Sequence, residues 1–588
     1  MTSLFGSAET TGWSLYLKAP TKVLLATSVS EVRDLIIQAE AEARNGSYVA
    51  MMVSYEAAPV FDAAFKTKQP TSFPLAWAAI YSFKSAAPPS QLDQYQVSNW
   101  TPKIDRNEYN DSVDRVRELI AAGDTYQVNY TFPLEANFAG DPLAWYQDLC
   151  VAQAGDYSAF LDLGRFKVLS LSPELFFQRA GDDIITRPMK GTAKRGRWPA
   201  EDQRQAKWLQ NSSKNRAENI MIVDLVRNDL GKVSELGSVK VTSLFELERF
   251  PTLWQLTSTV KSTLRKNTSL VDVFAALFPC GSITGAPKIR TMEIIKGLET
   301  ESRGPYTGAI GFLKPGGDCI FNVAIRTVVL DSLSGAVKFS VGGGVTIDST
   351  SDVEYEECLL KAEFLNRKPV TFNIFESVRL ENGRYFLIER HLERLAASAR
   401  YFDFKFPEKE IDNHLRTVAA SHEQGSWKVK LELEKNGAVQ TSVTELAELE
   451  PRKIALASSP VDQLDRFLFH KTTNRKFYDA ELAFHPDCDD VIFWNENGEI
   501  TESSIANVVV MLDGQLVTPP LESGLLAGTY RDELIAEGTI SEQKITVEDL
   551  ARATEVFLIN SVRKWMRVSS SGPIRPENTT ASTNKVAG

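Results

Sequence analysis

The sequence predicts a multidomain protein of mixed α+β and α/β class. Its 588 residues are more than one hydrophobic core usually holds, so we expect two to four domains. Short β-type runs, such as residues 23–25 and 48–53, alternate with amphipathic stretches. The clearest helix is expected from Asp105 onward, because apolar side chains recur there at helical spacing up to Gly123.

The predicted elements follow the chain in two series. The first series has a helix at 30–44, a connector at 85–98, strands at 126–132 and 167–177, a helix at 215–225, buried strands at 321–329 and 337–341, and a helix at 352–365. A second series begins near Phe372 with a strand, a turn at Asn382 and Gly383, a further strand, an Arg-rich helix at 388–401, and strands near 427–434, 453–458 and 491–494.

Composition excludes several classes of function. A net charge of -11 and a pI near 5.3 argue against a nucleic-acid partner or an anionic membrane partner. No apolar run reaches membrane-spanning length, and the first residues lack the pattern of a secretion signal. The five cysteines are scattered without zinc spacing, which indicates reduced thiols and a cytoplasmic location.

Histidine is confined to the end of the chain. All five His residues follow residue 390. Chemistry in the first two-thirds therefore uses Lys, Glu, Asp, Thr or a metal ion.

Lys190 is the most distinctive side chain of this first part. Pro188 and Gly191 flank it, so its amine lies on a stiffened backbone where desolvation would make it a nucleophile. Two acidic segments, around Glu218 and around Glu357, are typical of a paired-carboxylate site for a hard cation.

Three further features suit an anionic ligand with several carboxylates. Residues 281–288 form a small-residue loop that opens a helix, Arg326 is placed to fork onto a carboxylate, and residues 342–344 are three glycines with bare N–H groups. Each feature has an ordinary alternative: a triple glycine is a common turn, a lone Arg is often an ion pair, and a Glu/Glu/Lys helix face is often a solvated surface.

Taken in order, these motifs resemble the chorismate-using family that contains anthranilate synthase and aminodeoxychorismate synthase component I. The resemblance covers roughly residues 100–365, with a weaker match at 54–58. It is carried by residues 123–129, 172–176, 187–192, 217–229, 281–288, 303–308, 321–327 and 354–361.

The resemblance implies an antiparallel β-sandwich with flanking helices and a set of site residues. Glu218 and Glu357 would hold Mg²⁺ against the ring carboxylate of chorismate, with Glu354 and Lys361 assisting around the metal. The enolpyruvyl carboxylate would be bound by Arg326, Tyr306 and the amides of Gly342, Gly343 and Gly344. Thr284 and Lys288 would line the pocket, and Thr284 is also assigned to catalysis.

Lys190 distinguishes between members of the family. The matching loop of anthranilate synthases resembles Pro-Ile-Ala-Gly-Thr, and that of aminodeoxychorismate synthases resembles Pro-Ile-Lys-Gly-Thr. This chain has the lysine. The chemistry implied is attack by Lys190 at ring C2 with loss of the C4 hydroxyl, followed by ammonia at C4. Gln255 replaces a histidine of many relatives, which leaves the proton donor to the departing hydroxyl open.

No cysteine lies in a Gly-x-Cys-x-Gly elbow, so we expect a separate glutaminase subunit or free ammonia.

Residues from 371 onward resemble the fold-type IV pyridoxal-phosphate family, which has two subdomains. The matching stretches are 374–379, 391–395, 470–475, 500–507 and 526–531. The resemblance implies that Lys471 bonds to the cofactor aldehyde and that Glu502 pairs with the pyridinium nitrogen. Arg394 and Thr529 would bind the phosphate. A homodimer through this domain is a further expectation.

The interpretation is a bifunctional enzyme that aminates chorismate and then eliminates pyruvate to give 4-aminobenzoate. Lyase and aminotransferase are not separated by the residues of the second domain; the fusion partner favours the lyase. The alternatives are an anthranilate synthase-like chain with an appended aminotransferase, and a scaffold that binds chorismate without turnover. The expected boundaries are 1–100 for the N-terminal portion of the synthase, 101–366 for its catalytic core, 367–370 for a linker, 371–570 for the lyase and 571–588 for a disordered tail.

Overall fold

The computed structural model of this chain describes residues 1–6, 12–86, 88, 93–153, 155–366, 370–447 and 452–568. The chain divides into two compact units, Met1–Arg195 with Gln205–Pro369, and Gly196–Arg204 with Val370–Gly588. The boundaries expected from the sequence stay predictions. Residues 367–369 of the expected linker and all of the expected tail lie outside the described residues.

Within the described residues, the first unit contains twenty strands and eight helices. The strands are β1 Thr2–Gly6, β2 Leu15–Lys18, β3 Lys22–Ala26, β4 Tyr48–Val53, β5 Ala76–Tyr81, β6 Tyr95–Val97, β7 Thr101–Pro102, β8 Gln127–Gly140, β9 Tyr157–Asp162, β10 Phe166–Ser172, β11 Leu175–Ala180, β12 Asp183–Arg187, β13 Met189–Lys194, β14 Lys240–Arg249, β15 Leu253–Thr263, β16 Gly285–Ala286, β17 Ala309–Leu313, β18 Cys319–Val323, β19 Thr327–Asp331 and β20 Ala336–Val345. The helices are α1 Val29–Arg44, α2 Arg106–Ala121, α3 Pro142–Gln153, α4 Pro199–Asn211, whose first residues belong to the second unit, α5 Ser213–Gly231, α6 Leu270–Leu277, α7 Lys288–Leu298 and α8 Ser351–Ala362.

These strands form two antiparallel sheets of ten strands each. One has the order β16-β8-β20-β19-β10-β9-β1-β2 with β6 and β7 also on β8, and the other has the order β13-β15-β12-β11-β18-β17-β4-β5-β3 with β14 on β15. Apolar side chains of both sheets, among them Phe5, Trp77 and Phe312, form one shared core. Two outer cores contain side chains of helices together with sheet side chains. The β-sandwich with flanking helices is therefore confirmed.

The second unit contains the remaining elements of the chain. The strands are β21 Ile374–Glu381, β22 Arg384–Tyr385, β23 Ser426–Leu433, β24 Val439–Glu445, β25 Ile454–Leu456, β26 Asp490–Trp494, β27 Ile500–Ser503, β28 Asn507–Leu512, β29 Gln515–Thr518, β30 Ser541–Glu542, β31 Glu555–Asn560 and β32 Lys564–Arg567. The helices are α9 Ile388–Phe402, α10 Glu408–Ser421, α11 Lys476–Phe484, α12 Thr529–Ala536 and α13 Val547–Arg552.

Two separate sheets organise this unit. The antiparallel sheet β22-β21-β23-β24 shares a core with α9 and α10. The second sheet runs β25-β26-β27-β28-β29-β30, with β31 and β32 attached through β28, and contains two parallel pairs. The expected division of the second domain into two subdomains agrees with these two sheets.

One predicted strand is wrong in detail. Residues 321–329 were expected to be extended throughout, but β18 ends at Val323 and β19 begins at Thr327. Arg326 lies in the break with φ of 50°, in the left-handed region. The interruption matters because it places a buried arginine outside the regular pleat of both strands.

No described helix is both long and apolar enough to cross a lipid bilayer. All five cysteines lie within the described residues, and all are free thiols.

Candidate active sites

A bulge in β13 presents Lys190. The pairing of β13 with β15 shifts register between Met189 and Thr192, and Gly191 has φ of 92°. A bulge with a left-handed glycine redirects the neighbouring side chain relative to the sheet. This backbone irregularity gives the Lys190 amine its own direction out of the regular pleat.

The three glycines of β20 leave space for the polar face of α8. A Cβ built on Gly343 would lie 3.0 Å from Glu354 Oε2. Lys361 Nζ donates to the carbonyl of Gly342 over 2.9 Å and pairs with Glu357 over 2.8 Å. β20 pairs with β8 along this whole run, so the three glycines lie in a regular strand and not in a turn. They matter because they lack side chains.

The same strand meets the Lys190 amine. A Cβ built on Gly344 would lie 3.0 Å from Lys190 Nζ and 2.2 Å from Gln127 Nε2. Burial lowers the pKa of Lys190, although Glu218 and Glu174 act in the opposite direction. Desolvation therefore favours the neutral amine, the form that a nucleophile needs.

Glu218 and Glu357 both act electrostatically on Lys190, so the two predicted metal ligands lie in its neighbourhood. Lys361 lowers the pKa of Glu357, which keeps that carboxylate ionised. Within the described ranges, no three His, Cys, Asp or Glu side chains converge as a metal cluster. A pair of carboxylates still fits Mg²⁺, which commonly takes one or two protein carboxylates and completes its shell with substrate oxygens and water.

Glu174 is a site residue to which the sequence assigned no role. It is buried at the end of the β10–β11 turn, directly before β11, and accepts a 2.7 Å hydrogen bond from Ser282 Oγ. Burial raises its pKa to about 7, although Ser282 and Lys190 lower it. A carboxyl that titrates near neutrality beside an amine nucleophile is suited to carrying protons.

Arg326 is a buried cation with spare donor capacity. Among the described residues its Nη1 has no hydrogen-bond partner, and burial lowers its pKa to about 10. An unpaired buried guanidinium is costly, and a carboxylate ligand would offset that cost with paired hydrogen bonds. This is the strongest structural sign of an anionic ligand in the first unit.

Tyr306 is buried, and a buried ion pair fixes the segment that precedes it. Arg303 Nη2 pairs with Glu299 over 2.6 Å and donates to the carbonyl of Asn129 over 2.7 Å. Burial raises the pKa of Tyr306, and Lys361 acts on the same hydroxyl. Lys361 thus links Tyr306 to the face of α8.

Thr284 and Lys288 are engaged elsewhere. The Thr284 hydroxyl donates to the carbonyl of Cys280 over 3.0 Å, and Lys288 Nζ pairs with Asp229 over 2.9 Å. Asp229, with Pro188 and Gly281, lines a small pocket. The structure shows neither predicted side chain in contact with Lys190, so their assigned roles stay predictions.

Lys471 is the central amine of the second unit. Its backbone carbonyl accepts from Phe375 N over 3.0 Å, and its Nζ lies 5.0 Å from the centre of the Phe375 ring. Burial and the nearby Arg394 lower the pKa of Lys471 to about 8. A lysine near neutrality is suited to bonding with an aldehyde.

Glu502 lies within electrostatic range of Lys471. It accepts from Tyr478 Oη over 2.8 Å and from Leu526 N over 3.2 Å. Burial raises the pKa of Glu502 to about 7. A buried carboxyl that both accepts and releases a proton near neutrality fits the pairing of a pyridinium nitrogen.

Arg394 and Thr529 come together through two residues that the sequence did not single out. Arg394 forks onto Glu376 with Nε at 2.9 Å and Nη2 at 2.6 Å, while its Nη1 donates to Ala527 O over 2.7 Å. His391 bonds to Glu376 and to Thr529 Oγ1. Both His391 and Glu376 lie in stretches that carry the family resemblance, 391–395 and 374–379, but only their burial beside Arg394 indicates a role.

The donor set of the second unit fits pyridoxal 5′-phosphate. It comprises a lysine of lowered pKa, a buried carboxyl, an arginine and the uncapped N-terminus of α12 behind Gly528. A Cβ on Gly528 would lie 2.0 Å from Asn507 Oδ1, so only glycine fits this close approach.

Comparisons with known proteins match both parts of the chain to known families. Residues 7–367 match the model of chorismate binding enzymes, and residues 373–571 match that of class IV amino-transferases. The chain therefore belongs to the chorismate-binding enzyme family and carries a class IV amino-transferase domain after it.

Two curated relatives and one solved structure show how similar this chain is to known proteins. Aminodeoxychorismate synthase component 1 of Escherichia coli is 43% identical over 45% of this chain and 58% of its own length. Anthranilate synthase component 1 1 of Haloarcula marismortui is 41% identical over 47% of this chain and 56% of its own length. The chain thus spans less than two thirds of either relative. The crystal structure of anthranilate synthase component I from Streptococcus pneumoniae aligns with a TM-score of 0.53 at 25% identity, covering 62% of this chain and 92% of that one.

Proposed function

We propose that this protein makes 4-aminobenzoate, a folate precursor, from chorismate in two steps, one in each unit. The observation that carries the proposal is the pair of buried amines, Lys190 and Lys471, each of lowered pKa and each placed beside a carboxyl that titrates near pH 7. Position 190 is a lysine here, whereas the matching loop of anthranilate synthases has an alanine. This lysine favours amination at C4 over anthranilate formation.

In the first step the neutral Lys190 amine attacks ring C2 of chorismate. The two conjugated double bonds of the ring shift, the C4–O bond breaks, and protonated Glu174 gives its proton to the departing hydroxyl, which leaves as water. Glu174 then takes the proton from the new ammonium group. Ammonia adds at C4, the two double bonds return to their original positions, and Lys190 departs as an amine with the proton from Glu174. The new C4 ammonium then returns one proton to Glu174, which restores the starting state of the site.

Binding groups hold the two carboxylates of chorismate. Arg326, whose Nη1 has no hydrogen-bond partner among the described residues, suits one carboxylate. We assign the buried Tyr306 hydroxyl to the same carboxylate. Glu218 and Glu357 would hold Mg²⁺ against the other, where the ion supplies charge neutralisation for the bound anion. In this proposal the buried carboxyl of Glu174 serves as the proton donor that Gln255 leaves open.

In the second step the second unit removes pyruvate from the amino intermediate. Pyridoxal phosphate, when bound, supplies an electron sink for carbanion chemistry. Lys471 moves the proton at the substrate carbon, Glu502 holds the proton of the pyridinium nitrogen, and Arg394 with Thr529 binds the phosphate group.

The cationic lining of the second unit supports a dianionic substrate. Lys430 Nζ lies 4.9 Å from the Phe375 ring, which Lys471 also approaches. Partial burial and then the cations Lys430, Arg563 and Arg475 lower the pKa of Lys428. A cluster of cations beside the lysine suits the two carboxylates of an aminated chorismate.

A glutaminase subunit would supply the ammonia. Burial raises the pKa values of Cys280, Cys319 and Cys358, so these three thiols do not suit the nucleophile of a glutaminase. Cytoplasmic location and a homodimer through the second unit complete the proposal.

Product analysis tests this function. The full chain is incubated with chorismate, ammonia, Mg²⁺ and pyridoxal phosphate, and products are separated by chromatography. We expect 4-aminobenzoate from the parent, no chorismate consumption by Lys190→Ala, and an accumulating aminated, pyruvate-bearing intermediate with Lys471→Ala. Anthranilate as the product would establish the alternative synthase with an appended aminotransferase, and bound but unconverted chorismate would establish a scaffold.

A further inference from the structure

A buried chain of hydrogen bonds runs behind the predicted phosphate-binding groups of the second unit. Glu376 on β21 bonds to His391 Nδ1 over 2.7 Å, and His391 Nε2 bonds to Thr529 Oγ1, at the start of α12, over 3.1 Å. Glu376 and His391 are each 1% exposed and Thr529 is 4% exposed. Bulk water therefore does not exchange freely with these partners.

The direction of these bonds depends on the protonation of His391. The Glu376 carboxylate only accepts, so Nδ1–H donates to it and, in a neutral ring, Nε2 carries a lone pair. The Thr529 hydroxyl must then donate to Nε2 and turns its own lone pairs outward. In an imidazolium ring Nε2–H donates to Thr529 Oγ1, which releases the hydroxyl proton for an external anion.

The charges around His391 favour the neutral ring before an anion arrives. The charged groups that act on it are Glu376 from β21, Arg394 on its own helix α9, and Lys471. Burial lowers the pKa of His391, and Arg394 and Lys471 act in the same direction, whereas Glu376, which forms an ion pair with Arg394, acts in the opposite direction. The carboxylate of Asp532, on α12, acts electrostatically on Arg394 and adds negative charge near that guanidinium.

A phosphate ester changes this balance. It brings nearly two negative charges at neutral pH, whereas the N-terminus of α12 offers only about half a positive charge. Arg394 is already committed in part to Glu376. One added proton on His391 would compensate much of the remaining charge.

We propose that His391 is a positioning residue that takes up one proton from solvent when the cofactor phosphate binds. The proton reverses the His391–Thr529 hydrogen bond and turns the Thr529 hydroxyl toward the phosphate, while Glu376 holds both His391 and Arg394 in place. The inference rests on the proposed binding of pyridoxal phosphate by this unit. It adds that phosphate binding is coupled to protonation of a group that never touches the cofactor.

The test uses the full chain freed of cofactor, with pyridoxine 5′-phosphate as the probe. This compound has no aldehyde, so it cannot bond to Lys471, and its phosphate is largely dianionic at pH 7.5 because its second pKa is about 6. Calorimetric titrations at pH 7.5 in buffers of different ionisation enthalpy count the protons taken up per ligand. Pyridoxine without phosphate is the matched control ligand.

We expect uptake of close to one proton per pyridoxine phosphate by the parent protein. We expect almost none by His391→Asn or by Thr529→Val, and almost none by the parent with pyridoxine. Because the chain has only five histidines, ¹⁵N spectra of histidine-labelled protein report the ring directly. The His391 signal should move from a neutral to an imidazolium shift when the probe is added.

Equal proton uptake by the parent and His391→Asn, or a His391 ring that stays neutral, would overturn the inference. Proton uptake that survives in Thr529→Val would also overturn it, since the hydroxyl would not be the group released. Failure of the parent to bind the probe would instead refute the proposed cofactor. Folding of each variant is checked by circular dichroism, and the ring signal in the parent gives an answer that needs no variant.

Discussion

Replacement of Glu174 by glutamine should separate stability from activity. In the folded protein burial raises the pKa of Glu174 to about 7 from its ordinary value of 4.5. A raised pKa means that ionising the group costs folding free energy. The stability that the protonated Glu174 side chain contributes is fully present below about pH 4.5 and is lost as the pH rises through 7. A shift of about 2.5 pKa units corresponds to about 3 kcal/mol.

Glutamine keeps the acceptor for Ser282 Oγ but cannot ionise. The parent should therefore lose stability relative to Glu174→Gln between pH 5 and pH 8, by up to about 3 kcal/mol. At pH 8 the variant should be the more stable protein and should have lost most chorismate turnover, because its side chain gives no proton. Urea unfolding at both pH values, followed through the first unit, measures the difference.

Glu135→Gln serves as the matched control for loss of one negative charge, since Glu135 forms an exposed pair with Lys103. This variant should show the same pH dependence as the parent. If the stability difference between Glu174→Gln and the parent does not change between pH 5 and pH 8, the buried proton is not where we place it. Full turnover by Glu174→Gln would refute its part in proton transfer.

Two further predictions concern the amines. Gly344→Ala places a Cβ 3.0 Å from Lys190 Nζ. A displacement of about 1 Å should lower chorismate turnover by about 100-fold. Gly297→Ala on α7, where a Cβ meets nothing within 4 Å, should leave turnover unchanged and add about 0.5–1 kcal/mol of stability; equal turnover by both variants would contradict the first prediction. Because the pKa of Lys471 is lowered to about 8, its neutral fraction grows between pH 7 and pH 9. The rate at which cofactor-free protein captures pyridoxal phosphate, followed by absorbance, should rise over that interval and level off, whereas a rate that keeps rising to pH 10 would indicate an ordinary lysine.

The sequence predicted more of the fold than of the site. Helical spacing from Asp105 onward predicted α2, and Asp105 is its N-cap in a capping box. Such elements follow from neighbours in the sequence. The break at Arg326 did not, because a single left-handed residue between two strands leaves no periodic pattern.

The sequence by itself determined which residues are present to react: Lys190 in a Pro-x-Lys-Gly setting, Lys471 in the second series, and no histidine before residue 390. Only the tertiary structure decided their protonation. The pKa values of Glu174 and Glu502 are set by burial and by partners distant in the chain, and the hydrogen bonds of His391 join β21, α9 and α12. Desolvation is a property of the folded surroundings, so no local sequence pattern encodes it.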